Sequence, residues 1–108
     1  MTPGSLSPGG LPVVKGHAYG NDFLLVPAER VMGDPGVFAR TICHPHYGVG
    51  ADGLILYTLR PAGATMKLWN ADGSVSELSG NGLRCLAAFV ARLDRLRSGA
   101  VVTVGTTA

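Results

Sequence analysis

Apolar residues recur at helical spacing in the C-terminal half of the chain. Between residues 83 and 93 (LRCLAAFVARL) the only charged residues are Arg84 and Arg92, and apolar side chains return every three to four positions. This pattern predicts a helix that is apolar over most of its circumference. We therefore expect other elements to surround it.

A turn and a glycine-rich corner precede the predicted helix. Asp72-Gly73 lies between two strand-like runs and predicts a tight hairpin turn, which would bring Asn70 back towards the corner. Glycine allows close approach of the backbone, and the free N–H groups of a helix start are a natural seat for a carboxylate or phosphate. The corner consists of Ser79, Gly80, Asn81 and Gly82.

Short apolar runs bounded by glycine and proline predict the remaining elements. Asp34-Pro35 has the pattern of an N-cap followed by proline at the first helical position, and it predicts a helix to about Cys43. The strands follow one another without the alternation of a doubly wound parallel sheet. We expect an α+β fold in which a mixed, largely antiparallel sheet curls around one buried central helix. Strands are predicted at residues 11–15, 22–26, 54–58, 65–69 and 100–104.

The composition bounds the class of protein. The 108 residues suffice for one domain with a core, and nine basic against seven acidic residues, scattered along the chain, argue against a nucleic-acid partner. Residues 1–10 lack the features of a signal peptide, and no apolar run reaches the length of a membrane span. We interpret residues 1–10 as a flexible leader to a domain over residues 11–108. Two cysteines, Cys43 and Cys85, favour buried, unpaired thiols in a reducing cytoplasm.

Two other kinds of site fit the residues less well. The run at residues 80–82 lacks the third glycine of a dinucleotide fingerprint, where Cys85 stands. Cys43, His44 and His46 together with Cys85 offer zinc-type ligands, but a proline interrupts them and their spacing matches no known pairing. We therefore expect neither a metal nor a cofactor.

Several polar residues have plain interpretations when spacing alone is considered. Asn21 and Asn70 suit turn and cap positions. His17 is interpreted as a turn histidine satisfied by the backbone. For Arg84, an ion pair on the helix face and a functional role both stay open.

Three motifs in order make a more specific pattern. Residues 15–23 read KGHAYGNDF, residues 48–53 read GVGADG, and the NADGS run at residues 70–74 is followed by GNGLRC at the start of the apolar helix. Over about residues 13–104 the chain thereby resembles the first half of diaminopimelate epimerase. The resemblance implies a protein of two similar domains with the active site in the cleft between them.

The resemblance also implies roles for individual residues. In the family, residues matching Asn21, Asn70, Gly80 and Asn81 hold the amino-acid substrate. Gly53 stands where many members present a side-chain amide, a departure that leaves the substrate contact there open.

A second departure concerns the catalytic group. The family inverts an α-carbon without pyridoxal phosphate: one cysteine thiolate removes the α-proton, and a second cysteine on the opposite face returns one. The first cysteine immediately precedes the GNG run, and this chain has Ser79 there. A helix start can lower the pKa of a thiol enough to populate the thiolate, whereas an alcohol needs a separate base to remove its proton. The resemblance therefore implies that Ser79 occupies the catalytic acid/base position.

These implications lead to one principal hypothesis. We expect a truncated N-terminal domain of a cytoplasmic epimerase that acts in lysine and peptidoglycan precursor synthesis. The C-terminal domain would follow residue 108, and we expect the N-terminal domain alone to be inactive. One alternative is a non-catalytic amino-acid-binding relic, with Ser79 as the trace of the loss. Another is a related isomerase or dehydratase acting on proline-like amino acids. A homodimer through an exposed sheet edge is left open.

Overall fold

The computed structural model describes residues 5–6, 11–18, 20–61, 63–77, 80–93 and 103–106. Six strands and two α-helices are present in this part of the chain, with a short 3₁₀ turn at Ala28–Arg30. In chain order they are β1 (Ser5–Leu6), β2 (Pro12–Ala18), β3 (Asn21–Pro27), α1 (Pro35–Ile42), β4 (Gly53–Arg60), β5 (Gly63–Asn70), α2 (Gly80–Leu93) and β6 (Thr103–Thr106).

The strands form one mixed sheet in the order β1-β2-β3-β4-β5-β6. Neighbouring strands are antiparallel except for β3–β4 and β5–β6, which are parallel. Parallel neighbours need a crossover connection rather than a tight turn. Here α1 lies between β3 and β4 in the chain and α2 between β5 and β6, so each helix belongs to one crossover. The predicted α+β fold with a mixed, largely antiparallel sheet is confirmed.

Helix α2 packs on one face of the sheet. Alternate residues of β3, β4 and β5 point to this face, and α2 contacts every strand from β2 to β6. The rings of Tyr57 and Phe89 meet edge to face, with centroids 5.2 Å apart, a favoured aromatic geometry. The buried core of this face consists of Phe23, Leu25, Ile55, Tyr57, Ala64, Met66, Leu68, Cys85, Leu86, Phe89 and Val90.

Helix α1 covers the opposite face. Asp34 is its N-cap, as predicted: the carboxylate accepts hydrogen bonds from the N–H groups of Gly36 and Val37, which are free at a helix start. The helix ends at Ile42, close to the predicted end. The buried core of this face consists of Val13, Leu24, Val26, Ala39, Ile42, Cys43, Leu54 and Leu56.

The central helix differs in two ways from the prediction. It begins at Gly80 rather than at residue 83, so the GNG run forms its first turn. It also keeps one exposed row, Arg84, Ala88 and Arg92, because the sheet covers only the side of the helix that carries the large apolar residues. A row spaced by four residues lies along one side of a helix.

Three further local predictions have mixed outcomes. The turn at Asp72-Gly73 is present, with Gly73 at φ 92°. Up to residue 77, where the described range ends, the expected second strand is reduced to one bridge between Trp69 and Val75. Strand β6 covers Thr103–Thr106 and overlaps the predicted strand at residues 103 and 104, while residues 100–102 lie outside the described residues. The leader stays a prediction, since most of residues 1–10 fall outside the described ranges.

Neither described helix has the length and apolar character that crossing a membrane requires.

Candidate functional site

Three of the predicted substrate-binding residues lie at one end of the sheet. Strand β3 begins at Asn21 and runs parallel to β4, which begins at Gly53, with Phe23 opposite Gly53. Strand β5 is antiparallel to β4 and ends at Asn70, directly opposite Gly53. The sheet register thus brings together Asn21, Gly53 and Asn70, which are 17 or more positions apart in sequence. Both asparagines are exposed, so this end of the sheet presents side-chain amides to solvent.

Gly53 is buried between its neighbours. A Cβ atom at this position would lie 3.2 Å from the carbonyl oxygen of Trp69 and 3.3 Å from Cδ1 of Phe23. Both neighbours would have to shift by a few tenths of an ångström to admit a side chain. The departure from the family pattern at Gly53 therefore coincides with a tightly packed start of β4.

Asp52 joins the three segments at this end of the sheet. Its N–H donates to the carbonyl of Asp22 at 3.0 Å, and its Oδ2 accepts the N–H of Asp22 at 2.8 Å. Its own carbonyl accepts the N–H of Ala71 at 3.2 Å. Asp22 follows Asn21 in the chain and Ala71 follows Asn70, so a single residue holds the backbone beside each candidate.

The carboxylate of Asp22 faces strand β2. Lys15 Nζ lies 3.8 Å from its Oδ2, and its Oδ1 is bonded to Nδ1 of His17. The prediction for His17 was wrong: this residue lies in β2 rather than in a turn, and its ring contacts a carboxylate across the strand pair rather than the backbone. Cross-strand pairs of opposite charge are a recurrent source of sheet stability.

A relay of hydrogen bonds holds the side chain of Asn70. Its Nδ2 donates to Oγ of Ser74 at 3.0 Å, and that hydroxyl donates to Oδ1 of Asp72 at 2.6 Å. The N–H of Ser74 donates to the same carboxylate oxygen at 2.9 Å. These bonds from Ser74, the side-chain one first, lower the pKa of Asp72, because they favour the charged carboxylate. The amide of Asn70 is thereby oriented by its own turn.

The first turn of α2 carries Gly80 and Asn81. Nη1 of Arg84 donates to Oδ1 of Asn81 at 3.1 Å, so Arg84 orients the Asn81 amide along the helix face. Among the described residues, no hydrogen bond links Asn81 to Asn21, Gly53 or Asn70. Ser79, which precedes this turn, lies outside the described residues, and its catalytic role stays a prediction.

The two cysteines are free and buried, as predicted. Burial raises the pKa of Cys85 to about 11. Burial, assisted by the negative charge of Asp52, raises the pKa of Cys43 to about 11. A thiol with such a pKa holds very little thiolate near neutral pH. Neither cysteine is therefore suited to abstract a proton.

The residues weighed as zinc ligands do not converge. Cys43 and Cys85 belong to the cores on opposite faces of the sheet. Nδ1 of His44 accepts the N–H groups of His46 and Tyr47, which is a local turn interaction. Over the described ranges, no group of three or more histidine, cysteine, aspartate and glutamate residues is arranged to hold a metal ion.

Three polar residues of this region received no role from the sequence. Asp22, Asp52 and Ser74 each fall inside one of the three motifs, close to a predicted substrate-binding residue. A signal was available for both aspartates, because strand propensity disfavours this residue. Asp22 is the first residue of one predicted strand, and Asp52 lies two residues before another. Their mutual contact depends on the register of β3 against β4, which spacing does not reveal.

Comparisons with known proteins identify the family of the chain. A model of the diaminopimelate epimerase family matches residues 13–108. The chain is 50% identical over 80 residues to the diaminopimelate epimerase of Moorella thermoacetica, an overlap of 71% of this chain and 29% of that protein. It is 44% identical over 87 residues to diaminopimelate epimerase 1 of Nostoc sp., with 76% and 31% covered.

A further relative extends the overlap. The chain is 43% identical over 94 residues to the diaminopimelate epimerase of Thermosynechococcus vestitus, with 82% of this chain and 32% of that protein covered. The chain spans about a third of the length of these curated relatives. Because the family match extends over most of its residues, this chain belongs to the diaminopimelate epimerase family.

Proposed function

We propose that this chain forms the N-terminal, substrate-binding domain of an isomerase that interconverts LL- and meso-diaminopimelate without a cofactor, in lysine and peptidoglycan precursor synthesis. The observation that carries the proposal is the meeting of Asn21, Gly53 and Asn70 at one end of the sheet. The relatives named above, all diaminopimelate epimerases, support the choice of substrate. The buried, unpaired thiols support a cytoplasmic location.

The chemistry has one demanding step. A base on one face of the substrate takes the α-proton, the electron pair of the C–H bond stays on carbon, and an acid on the other face supplies a new proton. The site must therefore stabilise a carbanion-like transition state. The N–H groups of Gly80 and Asn81 are suited to this role because the N-terminal end of α2 is the positive end of its dipole. One well-placed donor of this kind is worth about 3 kcal/mol in barrier height.

Ser79 is the proposed acid/base position on this domain. Cys43 and Cys85 are buried and hold their protons, so neither replaces the thiol that the family uses. A serine hydroxyl requires a neighbouring group to accept its proton. We propose that a second domain completes the site, with the second acid/base group and the groups that bind the distal end of the substrate.

Ser79 also favours a second candidate function, a domain that binds the amino acid but has lost proton transfer. Nothing in the comparisons favours this alternative or the proline-type isomerase. One experiment separates catalysis from binding alone. The longest natural form of the protein, defined by reading its gene beyond codon 108, is incubated with LL-diaminopimelate in D₂O, and deuterium at the α-carbon is followed by mass spectrometry.

The variants make the outcomes distinct. We expect exchange with the natural protein and a fall to the buffer rate with Ser79→Ala. Exchange only with Ser79→Cys would identify a binding domain that has lost its base. Absence of exchange in the natural protein and in Ser79→Cys under saturating substrate would contradict the proposed epimerase function.

A further inference from the structure

We infer that Asp52 is a positioning residue for the substrate site, an inference that rests on the proposed function. Asp52 is fixed to Asp22 by two hydrogen bonds, of 3.0 and 2.8 Å, and to Ala71 by one of 3.2 Å. Each of these three residues is the chain neighbour of a candidate substrate-binding residue. A peptide unit is rigid and joins Cα atoms about 3.8 Å apart. A shift at Asp52 is therefore passed directly to the substrate-binding residues.

The side chain of Asp52 fills a gap in the sheet. The ladder between β3 and β4 starts at the pair Phe23–Gly53. Asp22 precedes Phe23 in the chain, so its N–H lies beyond the first residue of β4. Oδ2 of Asp52 accepts this N–H in place of a strand carbonyl. Without such an acceptor, the backbone N–H at a strand start is hydrogen-bonded only to water. The carboxylate thus extends the pairing of β3 and β4 by one residue, up to the position next to Asn21.

Local charges allow two acidic residues to sit side by side. The carboxylate of Asp22 is turned towards β2, where Lys15 and His17 contact it. Asp52 is left to accept a backbone N–H rather than to face the other carboxylate. Lys15, Asp22 and Asp52 line one groove of about 450 Å³ together with the loop that precedes β4.

This arrangement separates positioning from direct contact with the substrate. One carboxylate oxygen of Asp52 is already engaged by the N–H of Asp22, and both backbone groups of Asp52 are hydrogen-bonded. Asp52 acts on substrate through the segments that it holds. Its removal is expected to weaken binding while leaving the chemical step of the bound substrate nearly unchanged.

The test uses the longest natural form of the protein with Asp52→Ala, Asp52→Asn and a control, Glu29→Ala, which removes an exposed carboxylate beyond the other end of β3. The readouts are the Kd for LL-diaminopimelate, KM and kcat, and hydrogen exchange of the Asp22 amide. We expect Asp52→Ala to raise Kd and KM about tenfold, the effect of one lost hydrogen bond to a charged group. Exchange at Asp22 rises by a similar factor.

The conservative variant provides the rescue. Asp52→Asn keeps a side-chain oxygen in place, so its Kd and its Asp22 exchange stay within about threefold of the natural protein. Glu29→Ala leaves both unchanged. If Asp52→Ala does not fold, Asp52→Ser replaces it, since the serine hydroxyl is too short to reach the same N–H.

Failure of the positioning role can be distinguished from failure of the proposed function. If the natural protein binds diaminopimelate and Asp52→Ala or Asp52→Ser binds it equally well, the positioning role is overturned while the proposed function stands. If the natural protein does not bind diaminopimelate at all, the proposed function fails and this inference fails with it.

Discussion

Gly36 and Gly73 lie against each other's backbones. A Cβ atom built on either residue would fall 2.6 Å from the carbonyl oxygen of the other, closer than real Cβ contacts allow. Helix α1 therefore touches the turn after β5, the turn that carries Asn70. The candidate site at the sheet end is thus supported from behind by a helix whose sequence shows no sign of that role.

Replacing Gly36 should separate these two backbones. Gly36→Ala introduces a methyl group against a carbonyl oxygen, a contact that only movement of the helix or the turn can relieve. We expect a loss of about 1–3 kcal/mol in the free energy of unfolding, as for other overpacked sites. Urea denaturation measures it. Val37→Ala, at a neighbouring residue that is 49% exposed, is the matched control and should cost much less.

The relay at Asn70 predicts a change in the titration of Asp72. Ser74→Ala removes the hydroxyl that donates to Oδ1 of Asp72, so the pKa of Asp72 should rise towards its ordinary value. Carboxyl carbon shifts followed by NMR as a function of pH give this pKa. Ser76→Ala is the control, because the hydroxyl of Ser76 donates to the carbonyl of Glu77. An unchanged pKa in Ser74→Ala would refute the relay.

The buried thiols predict a loss of stability at alkaline pH. Folding raises the pKa of Cys43 and of Cys85 from 9.0 to about 11, chiefly because burial disfavours the thiolate. The folded state therefore holds these protons more tightly than the unfolded chain. This contribution is complete below pH 9, and it is lost as pH rises through about 11. Each unit of pKa shift corresponds to about 1.4 kcal/mol.

The measurement is the free energy of unfolding in urea between pH 8 and about pH 11. We expect a steep decline in the natural protein and a shallower one in the double variant Cys43→Ala, Cys85→Ala, whatever its absolute stability. All other titratable groups are the same in both proteins, so the difference in slope reports the thiols. Equal slopes would show that burial does not raise the pKa of these cysteines.

Local chemistry made part of this structure predictable. Asp34-Pro35 marked the start of α1 because capping and proline geometry act within one turn. The apolar spacing after residue 82 identified α2. Asn21 and Asn70 were found through motif resemblance, and the sheet register brings them to the same end.

The remainder depends on contacts between distant segments. The bonds between Asp52 and Asp22 exist only because β3 and β4 pair in parallel at one register, and a one-residue slip would abolish them. The Gly36–Gly73 approach joins a helix to a turn 37 positions later. His17 was misinterpreted because a histidine near glycines resembles a turn residue until its strand partner is known. Local propensity carries no information on such pairings.

The position at which diaminopimelate binds tests the proposed substrate site most directly. The longest natural form of the protein, labelled with ¹⁵N, is titrated with LL-diaminopimelate while its amide resonances are followed. We expect saturable shifts at Asn21, Gly53 and Asn70, with little change at Leu59 and Gly63 at the opposite end of the sheet. Saturable shifts confined to that opposite end, or no saturable shifts, would contradict the placement of the substrate site.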